Sequence, residues 1–260
     1  MICLVGSGNV ATWLLQKLRD CREFPVTQVY SRQIEHAREA AALVGAEAVD
    51  DPAKLDPRCS IFIFALRDDA LPQVLSRIPF KMPLAVHTAG SVPQETLAPY
   101  AEHYGVLYPL QTFSKNTDMS SLRVPLCVEC DQAGPHRETL MSLADSLSDM
   151  VRPMSGEQRF YAHLASVFAC NFSNAMCTVA DDILQQHQMD LELILPLLEQ
   201  TVDKLKTLPP REAQTGPARR GDEAVMHRHL QALTEPQWQE IYRIMSNFIQ
   251  SKSFYNADNK

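Results

Sequence analysis

The sequence predicts an α/β protein, a doubly wound sheet followed by an all-helical C-terminal domain, and three observations carry that reading. Short apolar runs alternate with amphipathic helical segments through residues 1–152. One of those runs, Ser60-Ile61-Phe62-Ile63-Phe64-Ala65-Leu66, is apolar almost without interruption, as a parallel strand covered on both faces should be. From Gly156 onward the pattern has helical period and nothing in it resembles a strand. The expected division is therefore residues 1–152 and residues 153–260.

In chain order, Met1-Ile2-Cys3-Leu4-Val5 forms the first strand and runs into Gly6-Ser7-Gly8-Asn9-Val10-Ala11, after which residues 12–18 form an amphipathic helix. Val26-Thr27-Gln28-Val29-Tyr30-Ser31-Arg32 is the second strand, followed by an Ala- and Glu-rich helix over residues 34–43. The apolar run at 60–66 is the third and central strand. Asp68 and Asp69 then cap a short helix with Pro72 in its first turn. Residues 83–87, 105–108 and 124–130 supply three more strands. In the helical half, residues 157–186 carry Phe160, Leu164, Val167, Phe168, Phe172, Met176, Val179 and Ile183 as an apolar stripe wider than one surface helix needs. Pro196 is expected to kink a helix over 191–208, and Thr234-Glu235-Pro236-Gln237 to open the last helix with a capping box.

Composition narrows the function classes. A chain of 260 residues with 45% hydrophobic content can fill one large core or two modest ones. A net charge of −7 argues against a nucleic-acid partner, because such binding rests on clustered Lys and Arg. No secretory leader pattern opens the chain. The longest apolar helix segment carries His163, Asn171 and Asn174, which argues against a membrane span. Seven cysteines scattered over apolar segments suit a reducing, cytoplasmic setting. Cys127 and Cys130 lie in a strand-like run with no second pair at ligand spacing, so packing is expected of them and no metal site.

The first turn carries the clearest chemistry. A strand, a Gly-x-Gly-x-x-Ala turn and a helix are the parts of a dinucleotide site, in a Rossmann-like arrangement. Gly6 permits the tight turn, Gly8 admits a pyrophosphate without a Cβ in the way, and small Ala11 lets helix and strand pack closely. Gly6, Ser7, Gly8, Asn9 and Val10 are thus the expected phosphate-binding residues. At the end of the second strand an NAD site would place an acid, whereas this chain has Ser31 and Arg32, which suit the 2′-phosphate of NADP. The alternative for Arg32 is a solvated strand end. Ligands of open parallel sheets lie beyond the strands' carboxyl ends, so Ala65-Leu66-Arg67, His87-Thr88-Ala89-Gly90-Ser91 and residues 109–114 are expected to frame the nicotinamide, with Ala65 and Leu66 against the cofactor. His87, ending a buried strand, reads as a histidine hydrogen-bonded in place. The long loop Pro209 to Asp222, poor in large apolar groups, is either functional or an exposed linker.

Together with Tyr108-Pro109-Leu110-Gln111-Thr112-Phe113, His163 with Asn171-Phe172, and Thr215-Gly216-Pro217-Ala218-Arg219-Arg220-Gly221-Asp222, these motifs resemble a bacterial family of candidate NADP oxidoreductases. That family pairs a Rossmann domain with a helical C-terminal domain of unassigned function. The wider resemblance is to pyrroline-5-carboxylate reductase and the β-hydroxyacid dehydrogenases, which implies hydride transfer in a cleft between domains and a homodimer made through the helical domain. The resemblance also has a departure. β-Hydroxyacid dehydrogenases place a lysine one turn before an asparagine on the first helix of the second domain. If Asn171 is that asparagine, Val167 stands where the lysine would be. His163, two turns before Asn171, is then the candidate acid, since imidazole titrates near neutrality. Thr88 is a second candidate across from it, and Asn171 a substrate or cofactor contact. The expected activity is NADPH-dependent reduction of a small carbonyl or imine. The alternatives are a ketopantoate-type reductase and a non-catalytic NADP-binding regulator, the latter favoured by the missing lysine.

Overall fold

The computed structural model describes residues 1–114, 119, 121–131, 133–251 and 254. It divides into two compact units, Met1–Asn171 and Phe172–Lys260. The change of sequence pattern at 152/153 precedes this division, because the first helix after the sheet still belongs to the first unit.

The first unit is built on eight strands: β1 (Ile2–Val5), β2 (Val26–Tyr30), β3 (Glu47–Val49), β4 (Ile61–Phe64), β5 (Met82–His87), β6 (Ala101–Pro109), β7 (Leu126–Cys130) and β8 (Val151–Pro153). Their order is β3-β2-β1-β4-β5-β6-β7-β8. All neighbours are parallel except β6 and β7. The chain winds outward from β1 to β3 and then returns to β4 on the other side of β1. The sheet is therefore doubly wound, with its switch point between β1 and β4. Helices α1 (Asn9–Leu18), α2 (Ile34–Ala42), α3 (Leu71–Leu75), α4 (Pro135–Leu147) and α5 (Gly156–Ser166) complete the unit.

Two-residue periodicity explains why the central strands are apolar on both sides. Ile2, Leu4, Ile61 and Ile63 join one buried cluster, with Trp13 and Leu14 of α1 and Leu140 and Leu143 of α4. Cys3, Val5, Phe62 and Phe64 join the opposite one, with Leu71 and Leu75 of α3. Cys127 and Cys130 lie in β7, and all seven cysteines are outside disulfides. Among the described residues no group of three or more His, Cys, Asp or Glu is placed to hold a metal ion, and no helix is long and apolar enough to cross a membrane.

The second unit is helical, with α6 (Ser173–Gln186), α7 (Leu195–Lys204), α8 (Pro210–Ala213), α9 (Pro217–Arg220), α10 (Glu223–Ala232) and α11 (Pro236–Gln250). Four local readings change. The aspartate cap expected on α3 does not form: its N-cap is Ala70 with no side-chain cap, while Asp68 accepts from Ser91 and Asp69 pairs with Arg67. The segment expected as one α-helix over 157–186 contains a π-helical stretch, Val167–Phe172, between α5 and α6. Pro196 does not kink a helix but sits in the first turn of α7, where its missing N–H would be unpaired anyway. At the start of α11 the N-cap is Glu235 with no side-chain cap, so the expected capping box does not form. A complete capping box stands instead at Ser155 and Gln158, at the start of α5.

Candidate functional site

Two clusters at the carboxyl ends of the strands contain the residues that the motifs single out. At the first, β1 ends at Val5 and Gly6 turns the chain with φ of +134°. A Cβ there would lie 2.2 Å from the Ala65 carbonyl oxygen, so only glycine fits. Backbone bonds hold the turn: Gly6 N–H donates to the Tyr30 carbonyl at 2.8 Å, and Ala65 N–H donates to the Val5 carbonyl at 2.8 Å. Gly8 is the N-cap of α1 and has no side chain to satisfy the helix's first N–H groups. Among the described residues a Cβ on Gly8 would meet nothing within 4 Å, which leaves the space beside this helix terminus open to a ligand. Free N–H groups, a positive dipole end and an open space without a Cβ fit a pyrophosphate.

The same turn reaches the end of β2. Ser7 Oγ donates to Ser31 Oγ at 2.9 Å. Ser31 is buried, its N–H donates to the Val49 carbonyl, and the next residue, Arg32, is exposed. A hydroxyl pair and an exposed guanidinium thus lie at the end of β2, where dinucleotide folds read the ribose 2′ substituent. Asn9 differs from a simple cofactor ligand, because its side-chain amide donates to the Phe113 carbonyl at 2.8 Å and ties α1 to the loop after β6. Val10 packs against the first core cluster and Leu66 against the second.

The second cluster gathers β5, β6 and α5. The Ser155–Gln158 capping box fixes where α5 begins, and one helical turn separates Arg159 from His163. Tyr108 Oη and His163 Nδ1 are 2.9 Å apart, with the rings edge to face at 5.9 Å between centroids. Gly90 lies against both: a Cβ would stand 2.8 Å from His163 Cγ and 2.9 Å from Tyr108 Cζ. The turn is held by Arg159, only 2% exposed, whose guanidinium donates to the Gly90 and Val92 carbonyls and pairs with Glu129 of β7. Ser91 Oγ donates to Asp68 at 2.9 Å, joining the turn to the segment after β4.

Thr88 is buried, and its hydroxyl and N–H both face the Phe64 carbonyl, at 3.4 and 3.1 Å. Asn171 is exposed and lies in the π-helical stretch. Eight α-helical residues would leave it about 80° from His163 around the helix axis. The wider π turn rotates less per residue and brings it back toward the His163 face. Contacts therefore join His163 to Tyr108 and Gly90, whereas Thr88 is engaged with β4. Sequence reasoning missed Arg159 and Glu129, since a lone arginine among helical residues looks like a solvated one.

Burial pushes Tyr108 up to about 12, so its phenol keeps its proton across the neutral range. His87 is 1% exposed; its Nδ1 accepts the Ala89 N–H and its Nε2 faces the Pro93 carbonyl. Burial, aided by the Arg159 charge, lowers its pKa from 6.5 to about 4. The unfolded chain thus binds the extra proton first. Stability present above pH 6.5 is lost as pH falls toward 4, by about 3 kcal/mol in all. Urea unfolding of His87→Gln should show a shallower loss over that window than the parent; equal slopes would exclude His87 as the source.

In the second unit, the segment Thr215 to Asp222 contains the short helix α9, ended by Gly221 in the left-handed conformation. Thr215, Pro217 and Ala218 line an apolar cavity with Met176, Trp238 and Met245.

A candidate NADP oxidoreductase from Bacteroides fragilis is 38% identical, with 96% of this chain and 97% of that chain covered and a TM-score of 0.87. The chain belongs to its family. Residues 124–249 of the chain match the model of a domain of unknown function, DUF2520. A 1-pyrroline-5-carboxylate reductase from Streptococcus pyogenes shares the fold at 15% identity, with 96% and 97% of the chains covered and a TM-score of 0.61. A pyrroline carboxylate reductase from Plasmodium falciparum with NADP bound does so at 12% identity, covering 96% and 98%, TM-score 0.61. No curated protein matches the chain. The fold class and the family resemblance drawn from the motifs both hold.

Proposed function

We propose that this protein is an NADPH-dependent oxidoreductase that reduces a small carbonyl or imine substrate. The observation that carries the reading is the Gly6-to-Val10 turn, open at Gly8 and hydrogen-bonded through Ser7 to Ser31 beside Arg32. The name of the Bacteroides fragilis relative points the same way. In this reading the N–H groups of Ser7, Gly8, Asn9 and Val10 take the pyrophosphate, and Ser31 and Arg32 take the 2′-phosphate. Ala65 and Leu66 back the nicotinamide half. When bound, the dinucleotide supplies the hydride. His163 gives the proton to the substrate heteroatom, Asn171 orients the substrate by its amide, and Thr88 holds the start of the turn beside them.

NADP should accordingly bind more tightly than NAD. Arg32→Ala should remove most of the difference, weakening NADP about ten- to a hundredfold, as loss of a charge-assisted phosphate contact does. Calorimetric titration of both nucleotides checks this; equal affinities in the parent protein would exclude the assignment.

The reading includes a homodimer through the helical unit. Among the described residues of that unit only Ala218 is buried, while Leu193, Leu197, Val202, Ile244 and Phe248 are each more than half exposed. An apolar surface of that kind calls for a covering partner, and a second copy supplies a self-complementary one. Sedimentation at micromolar concentration should give a dimer, and a monomer would refute it. A cytoplasmic setting is supported by seven cysteines outside disulfides, and the net charge of −7 disfavours a nucleic-acid partner.

A further inference from the structure

We propose that Tyr108 is the positioning residue of His163, holding the ring by Nδ1 so that Nε2, carrying the proton, is the nitrogen presented to substrate. The inference rests on His163 being the proton donor of the proposed reductase, and it concerns a residue with no role in that proposal so far.

Three observations meet at this point. Tyr108 Oη lies 2.9 Å from His163 Nδ1. Gly90 leaves no room for any side chain between its turn and the two rings, so the imidazole is bounded by backbone on one side and by the phenol on another. Arg159, one turn earlier on the same helix, fastens that backbone through the Gly90 and Val92 carbonyls and is itself fixed by Glu129.

The choice of nitrogen follows from hydrogen-bond supply. The phenol stays protonated at neutral pH. Its proton needs an acceptor, and the bond to His163 is the one that the described hydrogen bonds give it. Neutral His163 therefore accepts at Nδ1 and carries its own hydrogen on Nε2. When the ring is cationic, Nδ1–H donates to the phenol oxygen instead. A proton can then leave Nε2 for the substrate heteroatom while the contact at Nδ1 persists, because a phenol both donates and accepts. The charged and titratable groups around the pair are Arg159 with Glu129, which carry opposite charges, and Asp68 and Cys127, which act on the phenol from the β4–α3 segment and from β7. His87, behind the turn, stays neutral above about pH 4.

The test is nitrogen NMR of histidine-labelled full-length protein, with His163→Asn identifying the His163 signals among the eight histidines. In the parent protein, neutral His163 should be in the Nε2–H form by about tenfold over the other tautomer, the preference that one net hydrogen bond supports. Tyr108→Phe should bring the two forms to within about two- to threefold. Gly90→Ala, which must displace both rings, should do the same. An Nδ1–H majority or an even mixture in the parent protein would overturn the proposal without reference to any variant. So would an unchanged tautomer ratio in Tyr108→Phe. The measurement needs neither nucleotide nor turnover, so an absence of reductase activity would refute the functional reading and leave this result standing.

Discussion

Replacing Arg159 with methionine is expected to destabilise the unit Met1–Asn171 by about 3 to 5 kcal/mol, the usual cost of removing one member of a buried ion pair. Arg159 and Glu129 side chains are 3% and 15% exposed, so removing the guanidinium leaves the Glu129 carboxyl poorly hydrated and without its charge partner. The same change orphans the carbonyls of Gly90 and Val92. Denaturant unfolding measures the loss. Adding Glu129→Leu should recover part of it, because replacing both members costs less than stranding one. A loss below about 1 kcal/mol, the size of an exposed pair, would mean that the guanidinium is not buried as described.

His163→Asn is expected to lower kcat on the order of a hundredfold or more and to flatten the limb of the pH profile that reports the acid. NADP affinity should stay nearly constant, since His163 lies in the cluster built on β5, β6 and α5 and not at the Gly6 turn. Asn171→Ala should act differently, lowering kcat/KM while keeping the pH profile, as loss of an orienting amide does. Steady-state kinetics across pH, with cofactor binding measured separately, distinguishes the two. A His163 variant with a parental pH profile would remove it from the proton-transfer role.

How far these features could be read from sequence depends on how local their causes are. The β1 turn was fully legible: the apolar strand, Gly6, Gly8 and the amphipathic helix are neighbours in the chain, and each residue type has one local reason to be there. The long apolar run of β4 likewise announced a central strand. Strands β3 and β8 were missed because three residues are too few to show a period of two, and pairing with β2 and β7 is what makes them strands. Pro196 and the segment at Thr234 show the ambiguity of helix signals, since proline serves a first turn as readily as it breaks an interior. The π-helical stretch has no marker in the sequence. The Arg159–Glu129 pair joins positions thirty residues apart. It becomes visible only when the sheet sets β7 beside α5. Tyr108 and Gly90 stand in motifs legible in the sequence, but their meeting with His163 is a tertiary fact.

The most direct test of the central claim is to follow NADPH absorbance while the protein is offered a panel of small oxo acids and cyclic imines. Stoichiometric NADPH oxidation is expected with at least one member, and its loss in His163→Asn. Firm NADP binding with no oxidation by any member would exclude the reductase reading and favour a nucleotide-binding regulator.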